Sequence, residues 1–245
     1  MDLIPAIDLL SGGAVRLRQG DYARVTRYEV EPTELASRWR GRVHHLHVVD
    51  LEGARQGRPA QRDLVARIAG AFGPGVEVGG GVRSMEAIEE YLGLGVDRVV
   101  LGTAALLEPE LLRRAALAYP DRIVVAVDAR NGFIATHGWQ QQSRVSALET
   151  VRQLARLPLG AVLYTDIDRD GMEVGPNVTA TVRLAREGGL PVIASGGIGV
   201  LEHLERLAEA APPTLVGVIV GRALHEGRFS LDDALRALAR PADPV

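Results

Sequence analysis

The sequence predicts one closed (β/α)8 barrel, a TIM barrel made of two similar half-barrels, spanning residues 1–245 as a single domain. Three observations carry that expectation. Short apolar runs alternate with helical patterns from one end of the chain to the other. The runs are rich in Val, Ile and Leu without strict alternation, which suits parallel strands covered on both faces. Motifs also recur at about half the chain length. Ile4–Asp8 (IPAID) is answered by Val124–Asp128 (VVAVD), which sets Asp8 and Asp128 120 positions apart. Gly80-Gly81-Val82 is answered by Gly196-Gly197-Ile198 after 116 positions, and Val100-Leu101-Gly102 by Ile219-Val220-Gly221 after 119. Three ordered matches at one period read as a repeat of four strand–helix units.

In chain order, the first strand is the apolar run Leu3–Ile7, followed by a helix over Pro32–Arg40 whose first turn tolerates the missing amide hydrogen of Pro32. The second strand, His45–Asp50, leads to a helical pattern over Arg62–Ala71, and the third, Val76–Val78, runs into three glycines before a helix over Met85–Leu94. Arg98–Leu101 is the fourth strand, and Pro109 opens the helix Pro109–Tyr119 as Pro32 opens the first. The second half repeats the scheme with strands at Ile123–Asp128, Ala161–Asp166, Pro191–Ala194 and Gly217–Val220. Its helices are expected over Ser146–Arg156, Ala180–Glu187, Val200–Ala211 and Ser230–Ala239. No linker or low-complexity stretch divides the chain.

Composition removes several function classes. There is no cysteine, hence no disulfide, thiolate metal site or cysteine nucleophile. All 28 cationic side chains are arginine; without lysine, imine-forming aldolases and pyridoxal-phosphate enzymes are excluded. A net charge of −3 gives no electrostatic case for nucleic acid or anionic lipid. No apolar run approaches the ~20 residues of a membrane span, and the start of the chain lacks a signal pattern, so a soluble cytoplasmic protein is expected.

In this fold the strand ends face the active-site rim. Asp8 and Asp128 end the first and fifth strands, opposite each other around the ring, where paired carboxylates can divide base and acid duties. Glycine turns follow the strands between them: Gly80 and Gly81 after the third, Gly102 and Thr103 after the fourth, Ser195, Gly196 and Gly197 after the seventh, Gly221 and Arg222 after the eighth. Glycine lets backbone amides approach an anion closely. Four such turns, paired by the repeat, point to two phosphate sites and to a small-molecule substrate with a phosphate at each end. Arg83 and Arg222 stand beside these turns, as phosphate contacts or as ordinary surface charges. His45 and His47 share a strand face at a spacing open to a metal pair, but no third ligand is indicated, which favours a core role. His137 reads as a surface residue, and Trp139 on the same loop either stacks on a planar ligand or anchors the loop.

Longer stretches extend the picture: IPAIDL with VRLRQGDY, HLHVVDLEGA, EVGGGVRSMEAIEEYLGLGVDRVVLGTAA, VAVDARNG, the GWQQ loop, YTDIDRDGMEVGPN, IASGGI and VGRAL. Through them the chain resembles, along nearly its whole length, the phosphoribosylformimino-5-aminoimidazole carboxamide ribotide isomerases of histidine biosynthesis. The resemblance implies a cofactor-free, metal-free Amadori rearrangement of an aminoaldose into an aminoketose, with Asp8 as base and Asp128 as acid on the ring oxygen. It further implies that Thr165 helps to hold the substrate or the acid, and that Asp170 is a further polar site residue. The family often has lysine where Gly13 and Arg222 stand here. A monomer is expected.

Three other readings compete. A dual-substrate isomerase would also accept phosphoribosylanthranilate. The related cyclase typically carries cysteine ahead of the first aspartate, where this chain has Ala6. A silent phosphometabolite-binding barrel would gain nothing from carboxylates beside its phosphates.

Overall fold

Apolar side chains on both sides of a strand have to be covered on both sides, and here one side turns into a barrel while the other meets helices. In the computed structural model, which describes residues 1–18, 20–136 and 141–239, the strands are β1 (Asp2–Leu10), β2 (Gly13–Arg18), β3 (Asp21–Arg27), β4 (Leu46–Asp50), β5 (Val76–Gly79), β6 (Arg98–Leu101), β7 (Ile123–Arg130), β8 (Phe133–Thr136), β9 (Gln141–Ser146), β10 (Ala161–Asp166), β11 (Val192–Ser195) and β12 (Leu215–Val220). Parallel pairing runs β1–β4–β5–β6–β7–β10–β11–β12 and returns from β12 to β1, closing a barrel of eight strands.

The eight expected helices form within a residue or two of their expected bounds, Pro32–Trp39 and Leu231–Leu238 among them. Local chemistry fixes their starts. Ser230 accepts from the Asp233 amide while Asp233 reaches back to the Ser230 amide, a reciprocal cap. Three short helices, Leu51–Gln56, Thr103–Leu107 and Arg222–His225, and two antiparallel hairpins, β2–β3 and β8–β9, were not expected from the sequence. The hairpins follow β1 and β7, and the short helices Thr103–Leu107 and Arg222–His225 follow β6 and β12, so these additions obey the half-barrel repeat, whereas Leu51–Gln56 after β4 has no short helical counterpart after β10 among the described residues.

Side-chain alternation sorts the core into layers. Leu3 and Ile7 of β1, with Val125 and Val127 of β7, join the large cluster between barrel and helices. Their neighbours Ile4 and Ala6, with Val124, Ala161, Leu163, Ile193 and Ile219, form a separate cluster that fills the barrel. On β4, β5 and the start of β6 the filling is charged instead, with Val100 further along β6 belonging to the apolar cluster. His47, Glu77 and Arg98 are in register across three strands. His47 Nδ1 lies 2.8 Å from one Glu77 oxygen, and Arg98 Nη2 lies 2.9 Å from the other.

Glu77 is fully buried. Burial alone would push its carboxyl up, but the hydrogen bond with His47 and the charges of His47 and Arg98 hold it below the ordinary carboxylate range. A depressed folded value stabilises the fold above the unfolded pKa near 4.5 and loses that contribution as pH falls through the folded value. Glu77→Gln leaves Arg98 without its counter-charge, a loss of about 3–5 kcal/mol. Urea unfolding should show the gap between wild type and Glu77→Gln at neutral pH and a narrowing gap below pH 4.5. A gap independent of pH would show that Glu77 acts by shape alone.

Candidate active site

The inward parity set by Ile4 and Ala6 carries on to Asp8, and that set by Val124 and Ala126 to Asp128. Counting around the ring, β1 and β7 are four strands apart in either direction, so the two aspartates leave the barrel on opposite sides of one mouth. Asp128 is level with Thr165 of β10, which is level with Ser195 of β11. Their positions one step deeper, Ala126, Leu163 and Ile193, belong to the barrel filling, so a polar row caps an apolar interior. Asp8 is 8% exposed and Thr165 6%, a burial that keeps bulk water from competing for them.

Arg16 of β2 reaches into this mouth. Its Nη1 donates to Asp8 at 3.1 Å and its Nη2 to Asp170 at 2.5 Å, so one guanidinium joins the first strand to the loop after β10. Burial disfavours charge on Arg16, but the carboxylates of Asp170 and Asp8 more than reverse this and hold it above the ordinary arginine range. The hairpin that carries Arg16 is fastened down. The Gly12 amide donates to Gln61 Oε1 at 2.8 Å, and the Tyr22 hydroxyl to the Leu51 carbonyl at 2.8 Å. Leu10, Val15, Leu17 and Leu51 form a small apolar cluster beneath it.

The glycine turns fall into two kinds. Gly81 and Gly197 have φ of 74° and 87°, and a Cβ there would collide with the Arg58 and Gly175 carbonyls respectively. Those glycines are required by the fold itself, identically in each half. Gly102 and Gly221 differ. Neither has a positive φ. A Cβ at Gly102 would meet nothing within 4 Å, and one at Gly221 would make ordinary contacts, 3.6 Å from Ala6 Cβ and from Arg16 Nη1. Crowding within the protein therefore does not demand glycine at Gly102 or Gly221. Both sit at the mouth end of inward-facing rows, after Val100 and Ile219. Surface hollows around Ala60–Arg67 and around Met1 and Pro212 open elsewhere, so convergence of side chains and not hollow size locates the site.

The profile of one family, described as histidine biosynthesis protein, matches residues 2–230. The chain belongs to that family. Within the histidine biosynthesis family, it is 55% identical over 240 residues to the 1-(5-phosphoribosyl)-5-((5-phosphoribosylamino)methylideneamino)imidazole-4-carboxamide isomerase of Sorangium cellulosum, covering 97% of this chain and 99% of that one. The protein of the same name from Roseiflexus sp. RS-1 is 48% identical over 239 residues, 97% of this chain and 100% of that one. A third, from Synechococcus sp. CC9311, is 46% identical over 248 residues, 100% of this chain and 97% of that one.

In this member of the histidine biosynthesis family, Asp8, Thr165, Asp170 and Asp128 are all at the mouth end of the barrel, the first and third of them joined through Arg16. Asp8 and Asp128 do not end their strands, as the sequence suggested; β1 continues to Leu10 and β7 to Arg130 because each turns into a hairpin. Arg83 is exposed, its guanidinium lying over Gly57. Arg222 donates through Nε to Glu226 at 2.7 Å and through Nη1 to the Gly171 carbonyl at 2.9 Å, tying the turn after β12 to the loop that holds Asp170. His47 is a core histidine bonded to Glu77, and His45 faces Asp2 at 3.4 Å. His137 and Trp139 lie outside the described residues.

Sequence reasoning missed Arg16. The available signal was its place in VRLRQGDY, where Val15 and Leu17 alternate with it and leave it on the opposite face of a short strand.

Proposed function

We propose that this protein is the isomerase that performs an Amadori rearrangement on N′-(phosphoribosylformimino)-aminoimidazole carboxamide ribonucleotide, a substrate with two terminal phosphates. One observation carries the reading: two inward aspartates face one mouth from strands four apart in a ring of eight, flanked on each side by matching glycine turns. Phosphate binding alone has no use for that carboxylate pair, since carboxylates repel a phosphate.

Asp128, protonated, gives its proton to the ribose ring oxygen; the C1–O bond breaks as the exocyclic nitrogen lone pair forms the imine. Asp8, ionised, takes the hydrogen from C2, and that electron pair forms the C1–C2 double bond while nitrogen regains its lone pair. Return of a proton to C1 and loss of the C2 hydroxyl proton give the aminoketose, with no net gain or loss of atoms. Thr165 lies beside Asp128 and orients the reacting sugar. Asp170 fixes Arg16, and Arg16 in turn fixes the rotamer of Asp8. One phosphate lies against Gly80, Gly81, Gly102 and Thr103 with Arg83 beside it, the other against Ser195, Gly196, Gly197, Gly221 and Arg222, with Trp139 stacking on the planar part of the substrate. The protein works as a cytoplasmic monomer without cofactor, metal or nucleic acid; no helix among the described residues is long and apolar enough to cross a membrane.

Turnover of this substrate in a steady-state assay tests the reading, and tight binding without turnover would replace it with a silent phosphometabolite-binding barrel. A parallel assay with phosphoribosylanthranilate decides whether the same carboxylates serve a second substrate. Gly102→Ala and Gly221→Ala should each raise KM about ten-fold, because the added methyl groups enter the space where backbone meets phosphate. An unchanged KM would remove that phosphate from the site.

A further inference from the structure

Tyr28 follows β3 and is tied to β1's hairpin by its amide, which donates to the Ala14 carbonyl at 3.0 Å. Its ring stacks on His225, with centroids 4.5 Å apart and planes 12° apart, and Trp39 meets the other ring partner, His225, edge-on at 5.8 Å. His225 is itself held: its Nε2 lies 2.7 Å from the Ala6 carbonyl, which fixes Nε2 as the protonated nitrogen. Burial keeps this imidazole below its ordinary range, so the ring is neutral and stacks without carrying charge. Three rings thus fix the direction of the Tyr28 hydroxyl.

Among the described residues that buried hydroxyl has no hydrogen-bond partner, and neither has the buried Nε of Arg16. Buried donors in folded proteins are nearly always paired, so two orphans in one neighbourhood call for a reason. The neighbourhood is defined electrostatically as well as by contact. Burial first, then the charge of Glu226, pushes the Tyr28 phenol up to about 12, and Arg16, Arg222 and Asp8 also act on it. Arg16 borders the backbone of Gly221, where its Nη1 would lie 3.6 Å from an added Cβ. Arg222 is already engaged by Glu226 and by the Gly171 carbonyl, which leaves fewer of its donors for an anion.

We infer that the Tyr28 hydroxyl, together with Arg16 Nε, donates to the substrate phosphate seated at the turn after β12, making Tyr28 a binding residue for a phosphate monoester. This rests on the reading of that turn as an anion cradle. The phenol stays protonated throughout the working pH range, so it serves as a fixed neutral donor. The stack supplies rigidity, which limits the ordering entropy lost on binding.

The test is Tyr28→Phe, which keeps the stacked ring and removes one oxygen. Purified wild type and variant are compared for kcat and KM, for competitive inhibition by inorganic phosphate, and for thermal midpoint. KM and the phosphate inhibition constant should both rise about ten-fold, with kcat within about two-fold. The midpoint should hold or rise, because an unpaired buried polar atom has been removed. Unchanged KM and phosphate inhibition would overturn the assignment. A lowered midpoint, with or without a change in KM, would also overturn it by showing that the hydroxyl serves the fold. Gly221→Ala measured alongside separates two failures. If it weakens phosphate inhibition while Tyr28→Phe does not, only the role of Tyr28 falls; if neither does, the cradle itself falls.

Discussion

Asp8→Asn should lower kcat by roughly 10²–10⁴-fold, the usual contribution of a positioned general base. The amide has nearly the shape of the carboxylate and can still accept from Arg16, so KM and the phosphate inhibition constant should move little. Arg16 also keeps its 2.5 Å contact with Asp170, which preserves the bridge from hairpin to loop. Retention of more than about a tenth of wild-type turnover would remove Asp8 as the base. A large rise in KM with kcat intact would recast it as a binding group.

Arg16→Met should damage stability and activity together. Arg16 carries the positive charge between Asp8 and Asp170, and all three side chains are largely buried, with 18%, 10% and 12% exposure. Methionine retains much of the stem's volume but leaves two carboxylates facing each other without a cation. Breaking such a pair costs about 3–5 kcal/mol when fully buried, and partial exposure brings the expectation to roughly 2–3 kcal/mol. Catalysis should fall even where the variant is folded, because Asp8 loses the partner that fixes its rotamer. Arg16→Lys should recover most of the stability and less of the turnover, as an ammonium supplies charge without the two-armed geometry. If Arg16→Met were as stable as wild type and fully active, the bridge would be incidental.

What could be read from the sequence was whatever leaves a periodic or repeated trace. The eight barrel strands and eight helices announce themselves through apolar runs, prolines at first turns and the half-chain repeat, and they fall within a few residues of expectation. Asp8 and Asp128 were legible because the barrel brings the mouth ends of its strands together, whereas Thr165 was legible only through the family resemblance. The hairpins were not. β3 is exposed along nearly all of its length, so no buried face imprints a pattern on it. Arg16 was invisible for a related reason: its function depends on Asp170, 154 positions away, and only the closed ring brings them together. The two kinds of glycine look the same in one-letter code. Only the backbone angles and the surrounding carbonyls separate Gly81 and Gly197, where φ is positive and a Cβ would clash, from Gly102 and Gly221, where φ is negative and a Cβ would find room.

The most direct examination of the chemistry is a crystal structure of the Asp8→Asn variant with the bis-phosphorylated substrate, which that variant should bind without consuming. The expected density has one phosphate at the Gly80–Gly102 side, the other at the Gly196–Gly221 side, and the reacting ribose held between position 8 and the Asp128 carboxyl. Both phosphates gathered on one side, or a ribose out of reach of either position, would contradict the ring opening proposed for this barrel.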